Sequence, residues 1–265
     1  GPTAVDSPAS SDIFLDEDEI EAAPIESLPW DFEQDGEIRQ QLAQIPAFND
    51  VLDGFQLFWE DAATWRRLLR DTIPAFDAGW RELDGTIATA AGILKAPVPI
   101  TLTIEGHSNC PLALPLREPT LVLGMLLREA LAPQELLFAL GWHLHLFLNQ
   151  NAEFAWAADH IIERHKDKVD LHEKIVEAAA DFTVGWDQNL PREEVVRIAK
   201  LCHAWEQRAV LSADRAGLLC CVDPEAACRA IAVCVGDPVR DRTLSVEKFL
   251  AQFKERFQHP RRNAV

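Results

Sequence analysis

Between about Phe48 and Asp71 the apolar residues recur at helical spacing, through Val51, Leu52, Phe55, Phe58, Trp59, Ala62, Trp65, Leu68 and Leu69. This stripe predicts one amphipathic helix whose aromatic face packs into a core. A second helix is expected over residues 74–94, weakened by Gly79 and Gly85. Residues 98–104, rich in β-branched side chains, and the compact apolar run 120–123 predict two short strands. Asn109, Pro111, Pro115 and Pro119 mark a loop between them. From Pro133 onward the pattern is helical, with helices expected at 152–165, 171–187, 191–221, 224–235 and 246–257. Pro133 suits a first helical position, and Glu135 suits the positive first turn. The predicted class is mainly α with a small β-sheet (α+β).

The helix that starts at Pro133 contains the run Leu136 to Leu148, which reads LLFALGWHLHLFL. It is apolar on every side except at two histidines. The run is too short to span a bilayer, and Arg128, Glu129, Gln134 and Glu135 stop it from extending backwards. It predicts a helix buried at the centre of a domain.

Charge separates the start of the chain from the rest. Residues 1–40 hold twelve Asp or Glu and one Arg, which is −11 of the total −18. Residues 1–30 therefore read as a disordered acidic tail. The remainder is expected to be one domain, with N-terminal helices over 31–94 and a core with C-terminal helices over 95–265. The acidity argues against a nucleic-acid partner and against an anionic membrane surface. Apolar beads interrupt the tail. Phe14, Leu15 and Trp30 are the candidates for docking in a groove on a partner or on the domain itself. The acidic start lacks the pattern of a secretory leader, and six cysteines without a CxxC pair read as buried thiols, so a cytoplasmic location is expected.

Two segments carry a family resemblance. Gln134-Glu135-Leu136-Leu137-Phe138-Ala139-Leu140-Gly141 resembles the lead-in to the zinc helix of the HtpX-like and CAAX-prenyl-protease-like gluzincin metallopeptidases. In that family HExxH follows, with two zinc-binding histidines and a glutamate that activates water. Here the five residues are Trp142, His143, Leu144, His145 and Leu146. Downstream, the run from Trp205 to Leu219 resembles the helix of the third ligand, a Glu-x-x-x-Asp within a Ser-Ala-Asp-Arg-Ala-Gly-like stretch. Val210 stands in the place of that Glu, and Asp214 is kept. The likeness covers roughly residues 95–235 and implies a gluzincin-like fold.

The chemistry of these positions is independent of any family. Residues 142 and 146 are four apart and share a helix face. An indole, an isobutyl group and the isopropyl group of Val210 donate nothing to zinc. A bound water would have no ion to acidify it. His143 and His145 lie about 200° apart around a helix and cannot chelate one ion. They read as core histidines with hydrogen-bond partners. Asp214, if buried, needs a donor, for which Arg208, Arg215 and the helix histidines are the candidates.

The expectation is a pseudopeptidase without metal or other cofactor, acting as a scaffold, adaptor or regulator by binding a protein. The cleft beside the sheet edge is its natural docking place. Two other readings stand beside it. One is a hydrolase using His143 or a cysteine such as Cys110, near His107. The other is a carrier for the acidic N-terminal motif. His160, Glu163 and His165 read as an exposed polar face rather than as metal ligands.

Overall fold

The computed structural model describes residues 28–32, 35–105, 111–162, 171–183 and 185–235. The beads Phe14 and Leu15, the loop residues His107 and Cys110, and the expected helix at 246–257 lie outside them. The described chain is mainly helical with one small mixed sheet, the α+β class that the sequence predicts.

Helices α1 (Asp35–Ala43), α2 (Pro46–Glu60) and α3 (Ala62–Leu68) come first. The single long helix expected at 48–71 is broken at Asp61. Its carboxylate accepts bonds from the Ala63 amide at 3.2 Å and the Thr64 hydroxyl at 2.6 Å, so it starts a new helix instead of continuing the old one. The helix expected over 74–94 forms only in its second part. Strand β1 (Ile73–Pro74) and a turn through Gly79, at φ +80°, precede α4 (Leu83–Leu94).

Strands β2 (Ile100–Ile104) and β4 (Thr120–Gly124) are the two that the sequence predicts. Between them lies β3 (Leu112–Leu114), hidden in sequence by its flanking prolines. The strand order is β1-β2-β4-β3, with β2 parallel to β4 and both outer strands antiparallel to their neighbours. Every residue of β4 is buried. Alternation sends Val122 to one face and Leu121 and Leu123 to the other, so the central strand seeds two interiors.

After α5 (Leu127–Ala130) come α6 (Pro133–His145), α7 (Asn151–Ile162), α8 (Leu171–Ala179), α9 (Arg192–Cys221) and α10 (Pro224–Val235). The α8 helix ends before the expected residue 187. The Thr183 hydroxyl bonds back to the Ala179 carbonyl at 3.2 Å, and Gly185 turns the chain at φ +81°. The first interior joins α2, α7, α8 and the front half of α9 around Phe48, Phe55, Phe58, Trp156 and Trp205. The second joins α4, α6, α10 and the back half of α9 around Leu83, Ile87, Leu140, Leu144 and Ala216. No helix among the described residues is long and apolar enough to cross a membrane.

Candidate functional site

The segments that carry the family resemblance are α6 and α9, and they cross in contact. Pro133 opens α6, and the Glu135 carboxylate accepts the Ala132 amide at 2.9 Å, closing the first turn. The other carboxylate oxygen pairs with Arg229 of α10 at 2.7 Å. At the crossing, glycine faces glycine. A Cβ on Gly141 would lie 2.6 Å from the Cys220 sulfur and 3.1 Å from the Gly217 Cα. A Cβ on Gly217 would lie 2.8 Å from the Phe138 carbonyl oxygen. The two backbones approach as closely as they do because neither residue has a side chain.

This crossing brings together two of the positions marked in the sequence. The Trp142 indole N–H donates to Asp214 Oδ1 at 3.1 Å. Trp142, and not Arg208, Arg215 or a histidine, is thus the donor that Asp214 requires. Arg208 donates to the Ala204 carbonyl and Arg215 to the Asp31 carbonyl. Burial raises the pKa of Asp214, and the Trp142 bond partly offsets that rise. Leu146 is half-buried just past the end of α6. Val210 is on the outside of α9, 45% exposed. The three substituted positions therefore have different surroundings. One is bonded to Asp214, one is half-buried, and one faces solvent.

Both helix histidines are buried and engaged. His143 Nδ1 lies 2.7 Å from the Ala139 carbonyl and donates to it. His145 accepts the Trp30 indole N–H at Nδ1, 3.0 Å away, which places the proton of the neutral ring on Nε2, 3.2 Å from the Asn151 amide nitrogen. Burial, reinforced by the Arg39 charge, lowers the His145 pKa to about 4, so the ring is neutral near pH 7. Burial pushes the Cys202 thiol up to about 12 and the Cys220 thiol up to about 11, so neither is a thiolate nucleophile. Among the described residues no three His, Cys, Asp or Glu side chains cluster so as to hold a metal ion.

Trp30 belongs to a strap that sequence reasoning placed in the tail. Residues 28–32 lie against α9: the Phe32 amide donates to the Ser212 hydroxyl at 2.9 Å, and Ser212 donates to Asp35 at 2.8 Å. Arg215 sits over the Phe32 ring, 5.1 Å from its centroid. Arg39, 4% exposed, donates to Asn151 at 2.9 Å and lies over the Phe154 ring. Burial raises the pKa of both Asp31 and Asp35. An isolated aromatic at the end of an acidic stretch was the signal for this strap. Nothing in the sequence linked the strap to its partners, Ser212 and His145.

The sheet edges are occupied or short. The outer edge of β3 is closed at Ala113, whose carbonyl accepts the Trp156 indole N–H at 3.1 Å. The other edge, β1, has two residues, one of them proline. Neither is a template for an added strand. Comparison with known protein families, with curated proteins and with solved structures finds no match to the chain.

Proposed function

We propose that the chain is a pseudopeptidase: a gluzincin-like domain, of the HtpX-like and CAAX-prenyl-protease-like kind, that binds another protein and does not cleave it. The observation that carries this reading is the Trp142–Asp214 hydrogen bond. It joins the first ligand position of the resembled zinc helix to the aspartate of the resembled third-ligand helix. A neutral donor thereby satisfies the carboxylate. Trp142, Leu146 and Val210 supply no donor for zinc, and His143, at the position of the general base, spends its Nδ1 on a backbone carbonyl.

The glycine crossing supports the same reading from the side of architecture. It brings the two resembled helices into backbone contact, and the side chains around it are those of packing. Retaining a scaffold without its chemistry leaves recognition as the use of the surface.

Metal analysis of the purified chain tests the proposal. Zinc well below one per chain is expected, with a melting temperature unchanged by a chelator and no cleavage of unfolded protein substrates. Stoichiometric zinc whose removal lowers the melting temperature would overturn it.

A further inference from the structure

Helices α2 and α3, the turn between β3 and β4 and the start of α7 enclose a groove of about 1300 Å³. This exceeds the roughly 300–1000 Å³ of sites that hold small molecules and suits a chain segment. Leu52, Trp59, Trp65, Leu69 and Leu116 supply its apolar wall. The Trp59 and Trp65 rings stack 5.1 Å apart at 19°. Trp65 spends its N–H on the Phe58 carbonyl at 3.1 Å. The Trp59 N–H has no acceptor, although the residue is only 6% exposed. A buried donor left without a partner costs about 1–3 kcal/mol and calls for an acceptor.

The charged lining is unbalanced. Asp53, Glu60, Glu118 and Glu153 face Arg66 and Arg117, an excess of two negative charges. A second copy, at −18, would be repelled. The chain's own basic end, which includes Lys248, Phe249, Phe253 and Lys254, lies outside the described residues.

We propose that this groove binds a cationic, apolar peptide segment of a partner protein. An apolar side chain of the peptide lies on the paired indoles, a backbone carbonyl accepts the Trp59 N–H, and lysine or arginine side chains meet the four carboxylates. The proposal rests on the reading of the chain as a protein-binding module and gives that module a ligand class. It does not depend on the α6–α9 crossing.

The test is fluorescence anisotropy on the full chain. The probe is a fluorescein-labelled octapeptide alternating lysine with phenylalanine and leucine, and its counterpart carries glutamate for lysine. The lysine peptide should bind saturably, at least about tenfold tighter than the glutamate one, and should weaken with salt. Trp59→Phe should weaken it about fivefold, the equivalent of one neutral hydrogen bond. The pair Asp53→Asn and Glu60→Gln alters exposed residues, so the fold and melting temperature should persist while affinity falls about fivefold or more. Equal binding of both peptides, no binding, or binding that survives all of these substitutions would overturn the proposal. So would binding that appears only after Phe249→Asp with Phe253→Asp, because the chain's own end would then be the occupant. Zinc in the purified chain would defeat the pseudopeptidase reading and leave this measurement unaffected.

Discussion

The two halves of α9 meet their neighbours through opposite kinds of side chain. The front half brings Ile198, Cys202 and Trp205 into an interior of large rings, where Phe58 touches Phe55, Trp59, Trp65 and Phe182. The back half brings Gly217 and Cys220 against Gly141 and Phe138, with Ala213 and Ala216 also buried. Large rings hold helices apart and gain by buried area. Small residues let backbones touch and gain by closeness. The same helix therefore tolerates change differently along its length. Its front half should suffer from loss of volume and its back half from gain of it.

The largest effect should come from emptying the aromatic side. Phe58 is fully buried, so Phe58→Ala should lower the unfolding free energy by about 3–5 kcal/mol in urea or guanidinium titrations. A loss below about 1 kcal/mol would mean that the rings repack freely, and the contrast between the two interiors would fail.

Acid should act at the seam between them, where the strap's Trp30 meets His145. The folded pKa is about 4 and the unfolded value about 6.5. Between these values the unfolded chain binds the extra proton. Stability is thus present above pH 6.5 and lost as pH falls towards 4. Relative to His145→Gln, the chain should lose about 3 kcal/mol between pH 7 and pH 4. Asp31, Asp35 and Glu153, whose pKa values are raised, act in the opposite sense, but they are common to both chains and cancel in the difference. A pH-independent difference would place solvent at the His145 ring.

Filling the crossing should come next. Gly217→Ala puts a methyl group 2.8 Å from the Phe138 carbonyl, a backbone atom that cannot swing aside. A cost of about 1–3 kcal/mol is expected, although alanine is the better helix former. Calorimetry showing no loss would mean that α6 and α9 part easily, and the back half would behave like the front.

What the sequence discloses follows the same division. Long helices with full periodicity and a proline or cap at the start were legible: α10 is found at its expected limits, and α6 and α9 start at or next to the proline that announced them. The break at Asp61 was legible in principle, since an aspartate before Ala-Ala-Thr is a capping signal, but the unbroken apolar stripe outweighed it. Strand β3 was not legible, because three residues between prolines show no period. The pairing of Trp142 with Asp214 escaped for another reason. It joins residues 72 apart, and only the depth of the glycine crossing decides which side chain reaches the carboxylate. Val210 facing solvent escaped likewise, because the rotation of α9 about its axis is set by Gly217 and the small residues beside it.

The smallest effect lies at the end of α9 and should be a gain. Val222 closes the helix at φ +56°, left-handed, and is 81% exposed. A β-branched residue in that conformation crowds its own carbonyl and buries nothing in return. Val222→Gly removes the strain at the cost of a more flexible unfolded chain, and a net stabilisation of about 0.5–1 kcal/mol is expected from denaturant titrations. The valine belongs to a line of exposed apolar side chains on the back half, with Val210, Leu211 and Leu218. On the front half the outward apolar surface of α9 is Val196 alone. If Val222→Gly stabilises the chain, the back half keeps a strained residue where folding would prefer glycine. Its outer face then answers to a demand other than stability, whereas the front half answers to packing. If the substitution destabilises the chain, Val222 is held by contacts that its exposure does not reveal, and the difference between the two halves is confined to their interiors.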